Sequence, residues 1–576
     1  MRGVDCLLSD EQVRAFISDG YVQVQTDLGD SVHGTIFEKT TRILSMGDAG
    51  RDGGGANPQN NILPMVGELG QVLEAPEVVG ALTSILGNGY VMLPHRHCHL
   101  NAPVAPLPDG QRGITMVPHR DGQAGCHKPR HRVPQWALLF YYPQECPDRQ
   151  GPTALIPGTH LLPRLTTELN LEMPLAVDRC ADGGYRLPAN YVQRRVTSLA
   201  CGLGAVSIMH FDLGHSVLTN IADEMRYGHK FVFMRTEQPE RPSWANREPY
   251  WCPASATERA ADNQDNDNQD NEIVWTYVWN WMAGAGDRFR RAPGASAAMQ
   301  PGSIADLRRR LRSGGDADRL QAANALGFAR AAAAPAVADL IASLEDDSPY
   351  VQLNACYALG AVGAAAVDPL VAVLDGCDEL YHTYPPYGIG HAAHALGAIG
   401  APAVPALAHA LRSPDDHVRA NAAYALGEIG QPAAGALDAL REALDNSADD
   451  EVRRHLLSAV GLVGHPQERA LTVLAAALRR EPNSQLRQLA IQGMTRLNGP
   501  QDAAVPALAA ALDDPDPYVG AYASELLCRI GTPAALADAA AHLRRLRWFP
   551  DAPRVQPEQA QARQRTVAAS RIVGRR

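Results

Sequence analysis

The phrase Asn324-Ala325-Leu326-Gly327 returns as Tyr357-Ala358-Leu359-Gly360, His394-Ala395-Leu396-Gly397 and Tyr424-Ala425-Leu426-Gly427, and Val460-Gly461 continues the series. Successive glycines stand 33, 37, 30 and 34 residues apart. After a degenerate unit around Met494, Leu527-Cys528 closes the run. Between these anchors lie Ala/Val/Leu patterns at helical spacing, such as Val404-Pro405-Ala406-Leu407, and turns such as Ser413-Pro414-Asp415-Asp416. A unit of this size cannot bury its own apolar face, so it stacks on its neighbours. Two helices per unit at this period predict an all-α solenoid of roughly seven units over residues 303–545. The small residues at the anchors let successive helices approach closely.

The text before residue 300 follows a different rule. Ser9 and Gln12 form a capping-box pair at the start of a helix over 8–19, which Gly20 stops. A strand at Tyr21–Val24, helices over 31–48 and 65–86, and a Gly/Asn/Pro-rich loop at 49–61 follow. Short strand-like segments then dominate, at 89–94, 96–101, 113–118, 135–142, 153–156, 205–211 and 229–235, and predict an antiparallel sandwich or barrel.

The chemistry in this half centres on His119-Arg120-Asp121. On an extended strand His119 and Asp121 point to one face. His215, 94 residues beyond Asp121, completes two imidazoles and a carboxylate, the facial set of a non-haem Fe(II) oxygenase. Arg226 lies eleven residues past His215, about the reach of a hairpin, and is suited to clamp a carboxylate bidentately. His210 would place that arginine sixteen residues away and fits less well. His95, His97 and His99 alternate on one strand face, but no acidic partner is near them in the text and the intervening Cys98 points to the opposite face, so they are read as core or pocket lining.

These residues carry a resemblance. Leu8 to Val13, Asp19-Gly20-Tyr21-Val22, Pro118 to Gly122, Gly151-Pro152-Thr153, Pro157-Gly158-Thr159-His160, and then His215, Asn220 and Arg226 occur in the order found in the phytanoyl-CoA dioxygenase family of Fe(II)/2-oxoglutarate oxygenases. The resemblance covers roughly residues 5–250. It implies a double-stranded β-helix (jelly roll), Fe(II) held by His119, Asp121 and His215, and 2-oxoglutarate and O₂ as cosubstrates. It further implies Arg226 on the distal carboxylate, Thr153 within reach of the cosubstrate, and Asn220 near it or holding the following turn. Related halogenases have a small residue in place of the aspartate, so Asp121 points to hydroxylation, desaturation or ring chemistry. The repeats of the second half resemble short HEAT repeats of the phycobilisome-lyase type.

The expected organisation is therefore an oxygenase domain over 1–290, a solenoid over 300–548 and a disordered basic tail over 549–576. The substrate is expected to be a small organic metabolite. A protein or carrier-bound substrate docked by the solenoid, and a non-catalytic scaffold, remain as alternatives. Lys128, Arg130 and Arg132, with His127 and His131, form a basic cluster after the iron motif. It reads either as a solvated loop or as a contact for an anionic substrate. Residues 273–282 carry Trp275, Tyr277, Trp279 and Trp281 at period two, read as a strand over the domain edge or as a pocket wall or interface. The polar run from Asp262 to Asn271 reads as a mobile loop. The insertion at 376–391, which includes Cys377, Tyr381, His382, Tyr384, Tyr387 and His391, reads either as a tolerated surface insertion or as a loop contacting the first domain or its substrate.

A net charge of −11 argues against general nucleic-acid binding. No apolar run suggests a membrane span. Without a basic and apolar leader, and with no tightly paired cysteines, a cytoplasmic protein with reduced thiols is expected. Lysine occurs only at Lys39, Lys128 and Lys230.

Overall fold

The computed structural model describes residues 6–45, 61–105, 112–115, 117–121, 130–163, 165, 175–180, 185–188, 191–252, 271–293, 303–375 and 389–547. The tail, most of the Asp262–Asn271 run, Lys128, His127 and most of the 376–391 insertion lie outside them.

Eleven strands among the described residues form two facing sheets. They are β1 (Tyr21–Gln25), β2 (Val91–Asn101), β3 (Arg112–Ile114), β4 (Trp136–Tyr141), β5 (Thr153–Leu155), β6 (Leu175–Arg179), β7 (Tyr185–Arg186), β8 (Arg195–Ser198), β9 (Ala205–His210), β10 (His215–Val217) and β11 (Arg226–Met234). The main sheet runs β1-β9-β4-β11-β2, and the second β10-β5-β8-β7-β6-β3. Backbone bonds from Thr115 N–H to Val217 O and from Thr219 N–H to Gly113 O bring β3 beside β10 and nearly close the second sheet. This is the jelly roll.

The capping box at Ser9 and Gln12 is present, and Gly20 ends the Asp10–Asp19 helix in the left-handed region at φ 88°. The Asp30–Ser45 helix covers the outer face of the main sheet, where Thr40 meets His229, Phe37 meets Tyr227 and His33 Nδ1 lies 2.7 Å from the Tyr141 hydroxyl. The segments at 89–94 and 96–101, expected as two strands, form the single strand β2. Its register against β11 shifts between Phe231 and Phe233, opposite Pro94. Proline has no N–H for the ladder, so a bulge in an edge strand accommodates it.

The second half is a stack of helices carrying HEAT repeats. The anchor glycines are there for close approach. A Cβ on Gly461 would lie 2.6 Å from Gly493 Cα, one on Gly360 would lie 2.7 Å from Ala398 Cβ, and one on Gly427 would lie 3.3 Å from Ala459 Cα. The stretch 316–345 has the length and apolarity of a membrane span, contrary to the reading from sequence. It is broken by a 3₁₀ segment at Arg330–Ala336 that contains Pro335.

The two halves share one hydrophobic core that runs from Leu8 to Ala539. The aromatic stripe at 273–282 lies at this seam as a helix, Glu272–Met282, and not as a strand. Trp279 packs on Trp244, and Tyr277 on Tyr357 of the solenoid, with ring centroids 5.1 and 4.9 Å apart. With partners on every side, the helix carries no apolar stripe of its own. Asn354 Nδ2 donates to Asn271 Oδ1 at 2.7 Å, and the Ile273 N–H donates to Asn324 Oδ1 at 3.0 Å.

Burial also gives the fold an acid limit. Burial pulls the imidazoles of His160, His229 and His455 down to about 3, so each is neutral when folded. Once unfolded, each binds a proton below its ordinary value of 6.5. The stability from these depressed groups is full above about pH 6.5 and is lost as pH falls toward 3, by at most about 1.4 kcal/mol per pH unit for each histidine. Melting temperatures should therefore decline steadily below about pH 6.5. A profile flat down to pH 4.5 would contradict this.

Candidate metal centre

His119 and His215 pair across antiparallel chain segments. Each residue's N–H donates to the other's carbonyl at 3.0 Å. That bridge sets the two imidazoles side by side, with ring centroids 4.5 Å apart. His119 Nε2 lies 3.8 Å from Asp121 Oδ1, and His215 Nε2 lies 3.9 Å from Asp121 Oδ2. One ligand atom from each of the three residues fits within 4.8 Å of the others.

The protonation pattern suits a metal. His119 Nδ1 is 3.1 Å from Val117 O, and His215 Nδ1 is 2.9 Å from Leu213 O. A carbonyl only accepts, so both Nδ1 atoms carry the hydrogen and both Nε2 lone pairs face Asp121. Burial pushes the Asp121 carboxyl up, but Lys230, His215 and His119 more than reverse this and hold it well below the usual carboxylate range. Burial, with His119 beside it, lowers His215 to about 4. Two imidazoles that turn Nε2 to the site and one carboxylate held ionised make a donor set that fits a divalent first-row metal.

The alternate residue of the motif explains its rigidity. Arg120 is buried and points the other way, donating to Thr159 O at 2.6 Å, Leu162 O at 2.8 Å and Pro163 O at 3.1 Å. Thr159 Oγ1 in turn accepts from the Gly214 N–H at 2.9 Å, next to His215. The Pro157–His160 turn thus fixes both sides of the centre. Arg130 braces the same turn through His160 O, Leu162 O and Pro163 O.

Lys230 was not singled out from sequence. Its Nζ donates to Asp121 Oδ2 at 2.6 Å. Its rarity was the available signal, since it is one of three lysines in 576 residues. It stands in register with His97 on β2 and Phe140 on β4, while Gly228 faces His99. Phe140 contacts both His99 and His215. His97 and His99 therefore line the site, as expected. Burial, reinforced by Lys230, lowers His97 to about 4 and holds His99 well below its ordinary value.

Arg226 begins β11 on this same face. It is 1% exposed, and its Nε and Nη2 donate to Gly151 O at 3.2 and 3.0 Å. No ion pair to a described residue is found for it. Its guanidinium lies 5.3 Å from the Tyr142 ring centroid. Gly228 makes room: a Cβ there would lie 2.6 Å from Arg226 Nη1. Tyr142, also unforeseen, donates from its hydroxyl to Thr153 Oγ1 at 2.8 Å and accepts from the Thr153 N–H at 2.9 Å. Thr153, Tyr142 and Arg226 thus form one group.

His215 and Arg226 are not joined as a hairpin, because β10 and β11 belong to different sheets. Asn220 holds the corner between them. Its Nδ2 donates to Asn101 O and Glu224 O, and its Oδ1 accepts from the Ala222 N–H.

The basic cluster divides. Arg132 is 4% exposed in the seam, with Nη2 3.0 Å from His391 Nδ1 and Nη1 donating to Cys356 Sγ at 3.4 Å. His131, expected to face solvent, is 2% exposed and pairs with Glu428 of the solenoid between the rings of Trp136 and Tyr424. The contact through His391 ties the end of the 376–391 insertion to the first half. His210 stands against His160 and Phe16, away from the centre.

Comparison with known proteins adds the following. Residues 378–461 and 471–556 match the family described as HEAT repeats. No curated protein sequence matches the chain. Among solved structures, the chain is similar to the non-heme alpha ketoglutarate dependent epimerase SnoN from nogalamycin biosynthesis, at 14% identity and TM-score 0.27, over 39% of this chain and 82% of that one. It is similar to the carbocyclase SnoK from the same biosynthesis, at 20% identity and TM-score 0.28, over 40% and 85%. It is also similar to EctD from S. alaskensis, solved with 2-oxoglutarate and 5-hydroxyectoine, at 13% identity and TM-score 0.28, over 42% and 82%.

Proposed function

We propose that the chain is an Fe(II)/2-oxoglutarate-dependent dioxygenase of the phytanoyl-CoA dioxygenase class, oxidising a small organic metabolite. The oxygenase unit would lie within residues 1–290 and the solenoid within 300–548. The observation that carries this reading is the convergence of His119 Nε2, His215 Nε2 and an ionised Asp121, with both Nδ1 hydrogens tied to carbonyls. Fe(II) bound there, with 2-oxoglutarate and O₂, supplies the oxidising power and leaves succinate and CO₂.

The chain's own residues do the rest. His119, Asp121 and His215 hold the metal. Arg226, buried with no carboxylate paired to it among the described residues, is suited to the distal carboxylate of 2-oxoglutarate, since a buried cation left unpaired costs several kcal/mol. Tyr142 and Thr153 keep that arginine's surroundings fixed. His97, His99 and Phe140 present the substrate with a wall of neutral imidazole and apolar ring. The solenoid turns a broad surface to the first half. This favours a bracing role over docking of a protein substrate on that surface.

The test is succinate formation coupled to O₂ uptake by the full chain with Fe(II) and 2-oxoglutarate, with cell metabolites screened as substrate. Failure to bind any divalent metal would return the chain to the scaffold reading. Lys230 offers a sharper check. A cation on the ligand carboxylate repels a divalent ion by several kcal/mol at an effective dielectric near 20. The orienting hydrogen bond that it supplies is worth only about 1.5–3 kcal/mol. Lys230→Met should therefore tighten Co(II) binding by at least about tenfold in a titration. Weaker binding would mean that orientation dominates.

A further inference from the structure

A second cleft lies away from the metal centre, between the two halves. Its volume is about 1220 Å³, more than the ~300–1,000 Å³ of ordinary small-molecule pockets. One wall is Gln135 and residues 235–243 of the β-rich half, and the other comes from solenoid turns around 461–467, 496–502 and 526–532. It exists only because the solenoid packs on the jelly roll.

Arg496 is the unusual group in this wall. Its guanidinium lies 5.0 Å from the ring centroid of Trp136, across the seam. Its Nε and Nη2 are both buried, and neither has a hydrogen-bond partner among the described residues. The other two arginines at this end are accounted for. Arg235 donates to Pro134 O and Ile85 O, and Arg529 to Gly89 O, and Glu237 supports the charge of both. Among the described residues no carboxylate does this for Arg496, which burial lowers to about 10. Burying a charge without a partner is strongly unfavourable, so such a group is retained where something else supplies the opposite charge. The Nε and Nη2 hydrogens of a guanidinium lie side by side in one plane, the geometry that carboxylates and phosphates match with two parallel hydrogen bonds.

We propose that this cleft is a binding site for a small oxyanion-bearing metabolite, a carboxylate or phosphate, held by the Arg496 edge with Arg529 and Arg235 nearby. The ligand would bridge the two halves and clamp the solenoid onto the jelly roll. The site is separate from the metal centre and does not depend on the oxygenase reading.

The test uses the full chain in thermal melts and calorimetric titrations with inorganic phosphate and with citrate, against sodium chloride of equal ionic strength. One or both anions should raise the melting temperature and bind saturably, and whichever does so identifies the class. Arg496→Gln should weaken that binding at least tenfold, and Arg496→Lys less. If Arg496→Gln does not fold, Arg529→Gln should show a loss of binding too. The proposal is overturned if neither anion acts beyond the chloride control. It is equally overturned if Arg496→Gln, or in its place Arg529→Gln, binds as the parent does, which would leave ordered water as the partner of Arg496.

Discussion

Asp121→Ala is expected to abolish Co(II) and Fe(II) binding and all succinate formation, and to do so more completely than His119→Ala. The reason is charge. Asp121 is the anion among His119, His215 and Lys230, and Lys230 is hydrogen-bonded to it with only 9% of its own side chain exposed. Removing the carboxylate takes away one ligand and leaves an ammonium to repel the ion. It also breaks a buried ion pair, at about 3–5 kcal/mol. The double variant Asp121→Ala/Lys230→Met should therefore melt higher than Asp121→Ala alone while still failing to bind metal. Calorimetric titration with Co(II) and thermal melts of the four proteins check this. Parent-like Co(II) affinity in Asp121→Ala would remove the metal-centre reading.

Cutting the chain near residue 300 is expected to give an insoluble or unfolded fragment, not a smaller active enzyme. The fragment would expose Trp136, His131, Arg132, Ile273 and Tyr277, all buried in the full chain. Uncovering each large apolar side chain costs about 1.5–3 kcal/mol. Three such losses, at Trp136, Ile273 and Tyr277, sum to about 4.5–9 kcal/mol and approach the 5–15 kcal/mol that separates folded from unfolded states in typical domains. Arg132 would lose its contacts with Cys356 and His391, and Trp136 the guanidinium of Arg496. Circular dichroism and size exclusion of the 1–300 fragment decide the matter. A monodisperse fragment melting like the parent would show that the seam carries little stability. Truncation is thus a poor way to ask what the solenoid recognises, and point changes on its outer face serve better.

The elements that were legible in the sequence are those whose reasons are local. The capping box at Ser9, the two-residue step from His119 to Asp121, and the Ala-Leu-Gly glycines all have causes within a few residues or within one repeat. The partnership of His215 with them came from the order of motifs, since 94 residues of chain hold no local signal of contact. Lys230 was missed because its partner is 109 residues away in sequence. The stripe at Trp275–Trp281 misled because alternation of large rings suits a strand, while a helix enclosed by Trp244, Trp251 and Tyr357 shows no polar face. His131 and Arg132 read as a solvated cluster because Glu428, Cys356 and His391 approach them from the other half of the chain.

The last strand of the main sheet has a consequence for how the chain is made. β2 is the outermost strand, and the Pro517–Ile530 helix lies along it, with Tyr518 at His95 and Arg96 donating to Glu525. β11, which completes the sheet, leaves the ribosome roughly 300 residues before that helix, or about 15–60 s earlier at synthesis speeds of ~5–20 residues per second. During that interval the nascent chain carries an open row of backbone donors and acceptors, able to pair with any other extended segment. The yield of folded protein then depends on what shields that edge during synthesis as well as on the stability of the finished fold.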